Sequence, residues 1–115
     1  MKALPLALTL ILFSLQVLLS AQSPPPPVGH FKGVVQDLRG SKIGEARITV
    51  NGEDGWLRKL ASNRRGEFEL DLPSGTYRIL VQKSGFADYE LTNLSIESDA
   101  AKEFVFKLER RNRQS

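Results

Sequence analysis

The sequence predicts an all-β domain, folded as a seven-stranded antiparallel β-sandwich. In several short segments apolar and polar residues alternate with a period of two, and turn signals separate these segments. The clearest alternation lies in residues 67–72 and 76–82, which the turn Pro73-Ser74-Gly75 joins. No stretch after the first 21 residues has helical periodicity, so the inward faces of two antiparallel sheets would form one core.

The seven strands follow from this alternation in chain order. They are predicted at 31–36, 46–51, 56–62, 67–72, 76–82, within 86–96, and at 102–108. After the first strand, Asp37 and Gly40 occupy the first and fourth positions of a type I turn, where these residue types are preferred. In the sixth strand the inward parity changes between Leu91 and Leu94, which predicts a β-bulge near positions 92–93.

The N-terminal segment has the layout of a secretory signal peptide, assigned to residues 1–21. Met1-Lys2 is a positive start, residues 3–19 form an apolar run, and Ser20-Ala21 offers the small residues of a cleavage site. The alternative is an uncleaved membrane anchor formed by residues 3–19, which is close to the shortest length that spans a bilayer. The chain is therefore expected to be exported, to a periplasmic, cell-surface or extracellular location.

Two polar segments flank the predicted domain of residues 30–109. Residues 22–29 contain four consecutive prolines, which favour an extended linker. Residues 110–115 form a basic tail, interpreted as a solubilising end, with contact to an anionic surface as the alternative. The domain between them is large enough for one small core, and the chain contains no Cys to add a disulfide.

Charge does not indicate a nucleic-acid-binding protein. The chain has 16 Lys and Arg against 13 Asp and Glu, and both signs are interleaved along the predicted strands. We therefore expect no nucleic-acid partner. A membrane is expected as a partner only if residues 3–19 remain uncleaved.

A series of glycine, proline and aromatic motifs runs through the domain. The first strand contains Gly33, Val35 and Asp37 in the pattern G-x-V-x-D, and later segments read LPSGTY at 72–77 and GF at 85–86. Together these motifs resemble the carboxypeptidase regulatory-like domain, a transthyretin-like or prealbumin-like β-sandwich related to immunoglobulin-like and carbohydrate-binding-like folds. The chain departs from the family pattern at Asn63, because family members often have an acidic residue at this position before the turn glycine, here Gly66.

The resemblance implies a non-catalytic domain that is an accessory to a catalytic one. The residues also have structural explanations without the family. Pro73 and Gly75 suit the corners of a tight turn. Tyr77 is expected to bury its ring while its hydroxyl finds a backbone partner.

The polar residues do not form a recognisable catalytic set. His30 is the only histidine, at the edge of the domain, whereas a serine triad needs a histidine beside both a serine and a carboxylate. The loop at 51–54 offers oxygen atoms but lacks the spacing of an EF-hand loop. The carboxylates at positions 67, 69 and 71 are interpreted as the solvent face of a strand. No catalytic residue, metal or cofactor is therefore assigned, and the chain is not expected to be an enzyme.

Trp56 and Tyr89 are the candidate binding residues. Large aromatic side chains contribute strongly to small cores, so we favour edge packing for Trp56, although an exposed ring would stack on a sugar or a partner. The leading hypothesis is a secreted, non-catalytic accessory module with a structural or protein-interaction role. The alternative is a carbohydrate-binding module that uses Trp56 and neighbouring loops, so the partner would be a protein or a cell-surface polysaccharide. Asn93 begins a glycosylation sequon.

Overall fold

The computed structural model describes residues 27–111, which form two β-sheets packed as a sandwich. The strands are β1 Val28–Asp37, β2 Arg47–Asn51, β3 Leu57–Ala61, β4 Glu67–Pro73, β5 Gly75–Gln82, β6 Tyr89–Ile96 and β7 Ala101–Leu108, with a 3₁₀ turn at Glu53–Gly55 between β2 and β3. The predicted fold class is confirmed. The predicted signal peptide, residues 22–26 of the linker and residues 112–115 of the tail lie outside the described residues.

The sandwich consists of one three-stranded and one four-stranded sheet. The strand orders are β4-β1-β7 and β3-β2-β5-β6. Neighbouring strands run antiparallel, as predicted, with the exception of β1 and β7, which are parallel. A parallel pair needs a long crossover connection, and the whole of the chain between the first and last strands provides it.

Inward side chains from both sheets form one core. Its fully buried members include Phe31, Val35, Ile48, Val50, Leu72, Ile79, Val81, Phe106 and Leu108. The rings of Phe31, Phe68 and Phe106 lie together, with centroids 5.8–6.4 Å apart. Gly33 lies beside this group, and the Phe68 ring occupies the space that a Cβ atom on Gly33 would need. The glycine of the G-x-V-x-D motif is thus required by packing.

Two side chains stabilise the tight turns through backbone hydrogen bonds. Asp37 Oδ1 accepts hydrogen bonds from the backbone N–H groups of Arg39 and Ser41, both at 2.9 Å. Asn63 Oδ1 does the same for the N–H groups two and four residues later, also at 2.9 Å. An amide oxygen accepts these bonds as a carboxylate would, so the turn before Gly66 keeps its form without an acidic residue.

The predicted bulge in β6 is confirmed. Tyr77 pairs with Leu94 and Ile79 pairs with Leu91, so β6 advances three residues while β5 advances two. Asn93 takes the left-handed conformation at φ 58°, which asparagine adopts more readily than most residues. The extra residue returns Leu94 to the core face, as the change of parity in the sequence predicts.

The ends of the domain are more ordered than the sequence predicts. β1 begins at Val28, inside the predicted linker, because Val28 pairs with Pro73 of β4. Arg110 pairs with Phe86 in an isolated bridge, and its guanidinium carbon lies 5.1 Å from the centroid of the Phe86 ring. The first residues of the predicted tail therefore close the sandwich. Between residues 27 and 111 no helix is sufficiently long and apolar to cross a membrane.

Candidate functional site

The loops of the sandwich gather at two opposite ends. One end, called the Trp56 end, contains residues 27–29, 52–56, 73–75 and 97–100. The other end, called the Arg39 end, contains residues 37–46, 62–66, 83–88 and 109–111. Backbone hydrogen bonds link separate segments within each end, such as Asp99 N–H to Val28 O at 2.8 Å and Ala87 N–H to Glu109 O at 2.8 Å. Each end is thus a continuous surface made from distant parts of the sequence.

Trp56 lies at the end that carries its name and is half-buried. Its ring packs edge-to-face on Tyr77, with centroids 5.4 Å apart and planes at 80°. The backbone of Gly52 passes close to both residues, because a Cβ atom on Gly52 would overlap the Tyr77 ring. The loop that bears Trp56 is closed by a hydrogen bond from Gly52 N–H to Trp56 O at 2.8 Å. Trp56 therefore packs at the edge of the core, which is the interpretation favoured from the sequence.

A depression of about 260 Å³ lies beside the two packed rings. Trp56, Tyr77, Glu53 and Asp54 line it together with the turn at 73–76. The Tyr77 hydroxyl donates a hydrogen bond of 2.5 Å to Pro73 O, as expected from the sequence. Burial raises the pKa of this hydroxyl above its ordinary value, and the charge of Glu53 adds to the effect. The depression thus combines two aromatic residues with two acidic residues that can accept hydrogen bonds.

Tyr89 does not belong to this depression. It is the first residue of β6 and lies opposite Val81, four residues beyond Tyr77 on β5. That separation is about 13 Å along the strand. Its half-buried ring packs on Phe104 and Phe106, with centroid distances of 6.2 Å and 5.6 Å. Tyr89 therefore helps to close the core between β6 and β7, and the structure does not bring the two candidate binding residues together.

A second depression, of about 510 Å³, continues from the first onto the outer face of the four-stranded sheet. Glu53, Thr76 and Tyr77 line both depressions. The second is also lined by Asn51, Arg78, Thr92 and Asn93. The sequence alone does not show that these residues lie together, because the group is assembled across three strands. Asn51 and Arg78 are register partners on β2 and β5, a pairing that cannot be read from either strand alone.

His30 is held more firmly than the sequence predicts. Its side chain is 46% exposed, but Nδ1 lies 2.9 Å from Asp71 Oδ1 and Nε2 lies 3.7 Å from Glu69 Oε1. The hydrogen bond with Asp71 raises the pKa of His30 above its ordinary value. Ser95 lines a small depression with His30, but both ring nitrogens face carboxylates. The described residues therefore do not assemble a serine–histidine–carboxylate triad.

Other acidic residues are also dispersed rather than convergent. Glu69 and Asp71 are exposed and Glu67 is half-buried on the outer face of the three-stranded sheet, in agreement with the solvent-face interpretation. Glu53 and Asp54 lie on the 3₁₀ turn at the Trp56 end. In the part of the chain from residue 27 to residue 111, no three His, Asp or Glu side chains are placed to bind a metal ion.

Comparison with solved structures finds the same fold in proteins of different function. The Bacillus anthracis TIE protein is 20% identical with a TM-score of 0.63, over 73% of this chain and 18% of that one. A candidate carbohydrate binding protein from Bacteroides uniformis is 18% identical with a TM-score of 0.60, over 73% of this chain and 42% of that one. 3-Chlorocatechol 1,2-dioxygenase from Rhodococcus opacus is 10% identical with a TM-score of 0.62, over 78% of this chain and 62% of that one.

These likenesses establish the fold alone, since the identities are low and the chain spans less than two thirds of each of these proteins. No curated protein matches the sequence. The model of the carboxypeptidase regulatory-like domain, in contrast, matches residues 30–109, which is more than half of the chain. In the structure Gly33, Asp37 and Tyr77 each have a packing or hydrogen-bonding reason to occupy their positions. The chain belongs to the carboxypeptidase regulatory-like domain family.

Proposed function

We propose that this protein is an exported, non-catalytic accessory module that binds a protein partner through the outer face of its three-stranded sheet. The family of regulatory-like domains supports a non-catalytic role. Export rests on the predicted signal peptide, with an anchor at residues 3–19 as the alternative. The motif residues described above serve folding, so a binding function has to lie on the faces and edges that the core leaves free.

The observation that carries this proposal is an apolar pair at the centre of that face, in which Val105 is exposed and Val34 is half-buried. Val34 of β1 lies in register with Val105 of β7, and Val105 is 45% exposed. Charged residues surround the pair. The carboxylates on this face are Glu67, Glu69, Asp71 and Glu103, and the cations are Lys32 and Lys107. An apolar centre within a charged rim is typical of protein interfaces, and the excess of carboxylates suits a partner with basic residues around an apolar patch.

Val105→Asp is expected to weaken binding of that partner by more than tenfold, because it places a charge at the centre of the contact. The measurement is quantitative cross-linking of the exported protein in the cells that produce it, with mass spectrometry to identify the partner. Leu57→Asp is the matched control, since Leu57 is 52% exposed on β3 and lies on the other sheet. Retention of the same partner by Val105→Asp, or peptide hydrolysis that His30→Ala abolishes, would contradict the proposal.

Carbohydrate binding is the second candidate function. The specific observation in its favour is the depression at the Trp56 end, which is lined by Trp56 and Tyr77 together with Glu53 and Asp54. Sugar recognition uses aromatic surface together with hydrogen-bond acceptors for hydroxyl groups. The candidate carbohydrate binding protein from Bacteroides uniformis has a similar fold, which makes this function possible but does not assign it.

If the depression binds a sugar, Glu53→Gln is expected to weaken binding about five- to tenfold, because a hydrogen bond to a charged acceptor is stronger than one to an amide. A glycan array followed by calorimetry measures this effect, and Trp56→Ala should abolish binding. Since Trp56 also packs on Tyr77, thermal unfolding must show that the variant is folded. Leu57→Ser is the control beside the depression. Absence of binding to any glycan, or undiminished binding by both variants, would eliminate this function.

A further inference from the structure

The two ends of the sandwich carry opposite charge. The segments of the Arg39 end contain seven Lys and Arg residues and four Asp and Glu residues. The segments of the Trp56 end contain no Lys or Arg and four carboxylates: Glu53, Asp54, Glu97 and Asp99. The nearly balanced total charge therefore conceals a strong separation of charge along the strand direction.

The cations of the Arg39 end come from four separate segments, and the ammonium of Lys83 donates a hydrogen bond of 2.9 Å to Gly44 O. The cations are Arg39, Lys42, Arg64, Arg65, Lys83, Arg110 and Arg111, all exposed apart from the half-buried Lys83. Among residues 27–111, the ion pair at this end is that of Arg111 with Asp88, at 3.9 Å. The carboxylate of Asp37 accepts two backbone N–H groups within its own turn. With seven cations and four carboxylates, this end carries a net charge of +3.

An exposed leucine lies among these cations. Leu38 is 62% exposed, in the tight turn that Asp37 stabilises. The turn is closed by backbone hydrogen bonds from Gly40 N–H to Asp37 O at 3.0 Å and from Asp37 N–H to Ser41 O at 2.9 Å. Leu38 and Arg39 line a depression of about 430 Å³. Its other lining residues are Leu108, Arg110, Ser41 and the acidic Asp37 and Glu109. An exposed apolar side chain is therefore presented from a well-defined turn at the basic end of the sandwich.

We propose that the Arg39 end is a docking surface for an anionic lipid bilayer, with Leu38 entering the interface between headgroups and acyl chains. Clustered cations attract anionic headgroups, and an apolar side chain among them gains by leaving water. A soluble polysaccharide would satisfy the arginines but would leave Leu38 in water. The outer face of the three-stranded sheet remains accessible, so this proposal goes beyond the protein-binding function and does not depend on it.

The test is cosedimentation of the purified exported protein with lipid vesicles. Vesicles of phosphatidylcholine and phosphatidylglycerol in equal amounts are compared with vesicles of phosphatidylcholine alone, after N-terminal sequencing has established whether residues 3–19 are present. We expect binding to the anionic vesicles only. It should be lost between about 0.05 M and 0.5 M salt, as the Debye length falls from roughly 14 Å to 4 Å.

Matched variants locate the surface. Removal of two cations by Arg39→Gln with Arg64→Gln should weaken binding about 25-fold, at about fivefold for each charge near the surface. Leu38→Ala should weaken it about fivefold or more, since it removes most of the apolar side chain. The control is Arg58→Gln with Lys59→Gln, which removes the same charge from β3 and should change binding less than twofold. Thermal unfolding confirms that each variant is folded.

Four results would overturn the proposal. The first is equal binding to neutral and anionic vesicles, which would indicate insertion of the apolar N-terminal segment. The second is an equal loss in the control pair, which would indicate a response to net charge alone. The third is unchanged binding by Leu38→Ala. The fourth is absence of binding to anionic vesicles. Salt-sensitive binding to dextran sulfate would then assign the basic end to an anionic polysaccharide. Salt-sensitive self-association would assign it to the acidic end of a second copy of this chain.

Discussion

Phe106→Ala is expected to lower the free energy of unfolding by about 3–5 kcal/mol, the range for deletion of a buried aromatic side chain. Phe106 is fully buried on β7 and lies at the centre of the aromatic part of the core. Four rings surround it with centroid distances of 4.7–6.4 Å: those of Phe31, Phe68, Tyr89 and Phe104. Three of these rings come from three further strands, β1, β4 and β6, and the fourth, Phe104, lies on β7 itself. They cannot all move inward to fill the space that the substitution leaves.

The effect is large relative to the whole domain. Residues 30–109 should have a total stability of roughly 4–12 kcal/mol at typical values per residue, and no disulfide limits unfolding because the chain lacks Cys. Urea denaturation followed by circular dichroism measures the loss. Lys107→Ala is the control, because Lys107 is exposed on the same strand and should change stability by less than about 0.5 kcal/mol. A loss below about 1.5 kcal/mol for Phe106→Ala would mean that the aromatic group is not a packed core.

Local sequence patterns predict most strands of this fold well because those strands have one buried face, whereas β3 contains no buried residue. The alternation in 67–72 predicts β4, and the change of parity between Leu91 and Leu94 predicts the bulge in β6. Both features depend on neighbours within one strand. The parallel pairing of β1 with β7 is different, since alternation states which face is buried but not which strand lies beside which. Pairing between the two ends of the chain is decided by the closure of the whole sandwich.

The candidate site was less predictable for the same reason. Trp56 is conspicuous in the sequence, but its half-buried state depends on Tyr77, which is more than twenty residues away. Tyr89, as a large aromatic residue, is equally conspicuous in the sequence, yet its ring packs beside Phe104 and covers the core. The charge separation between the two ends is hidden because the loops of one end alternate along the chain with the loops of the other. Only the fold sorts them, by turning the chain at one end and then at the other.

Gly33→Ala is expected to destabilise the domain by about 1–3 kcal/mol, the usual effect of overpacking a core. In an ordinary strand the same substitution would be favourable, since alanine loses less backbone entropy than glycine. Here the new Cβ atom would overlap the ring of Phe68, which packs across β1 from β4. The ring is buried against Phe31 and Phe106, so it has little space into which to move. The sign of the change therefore distinguishes packing from backbone preference.

A double-mutant cycle with Phe68→Leu assigns this effect to the two residues. Leucine vacates the space above Gly33, so the double variant should be more stable than the sum of the single changes by about 1–2 kcal/mol. The matched control pairs Gly33→Ala with Phe86→Leu, because Phe86 lies at the Arg39 end beside Arg110. Those two changes should add within about 0.5 kcal/mol. Additivity in the Phe68 cycle, or a stabilising effect of Gly33→Ala alone, would contradict the view that this motif glycine exists to admit an aromatic ring.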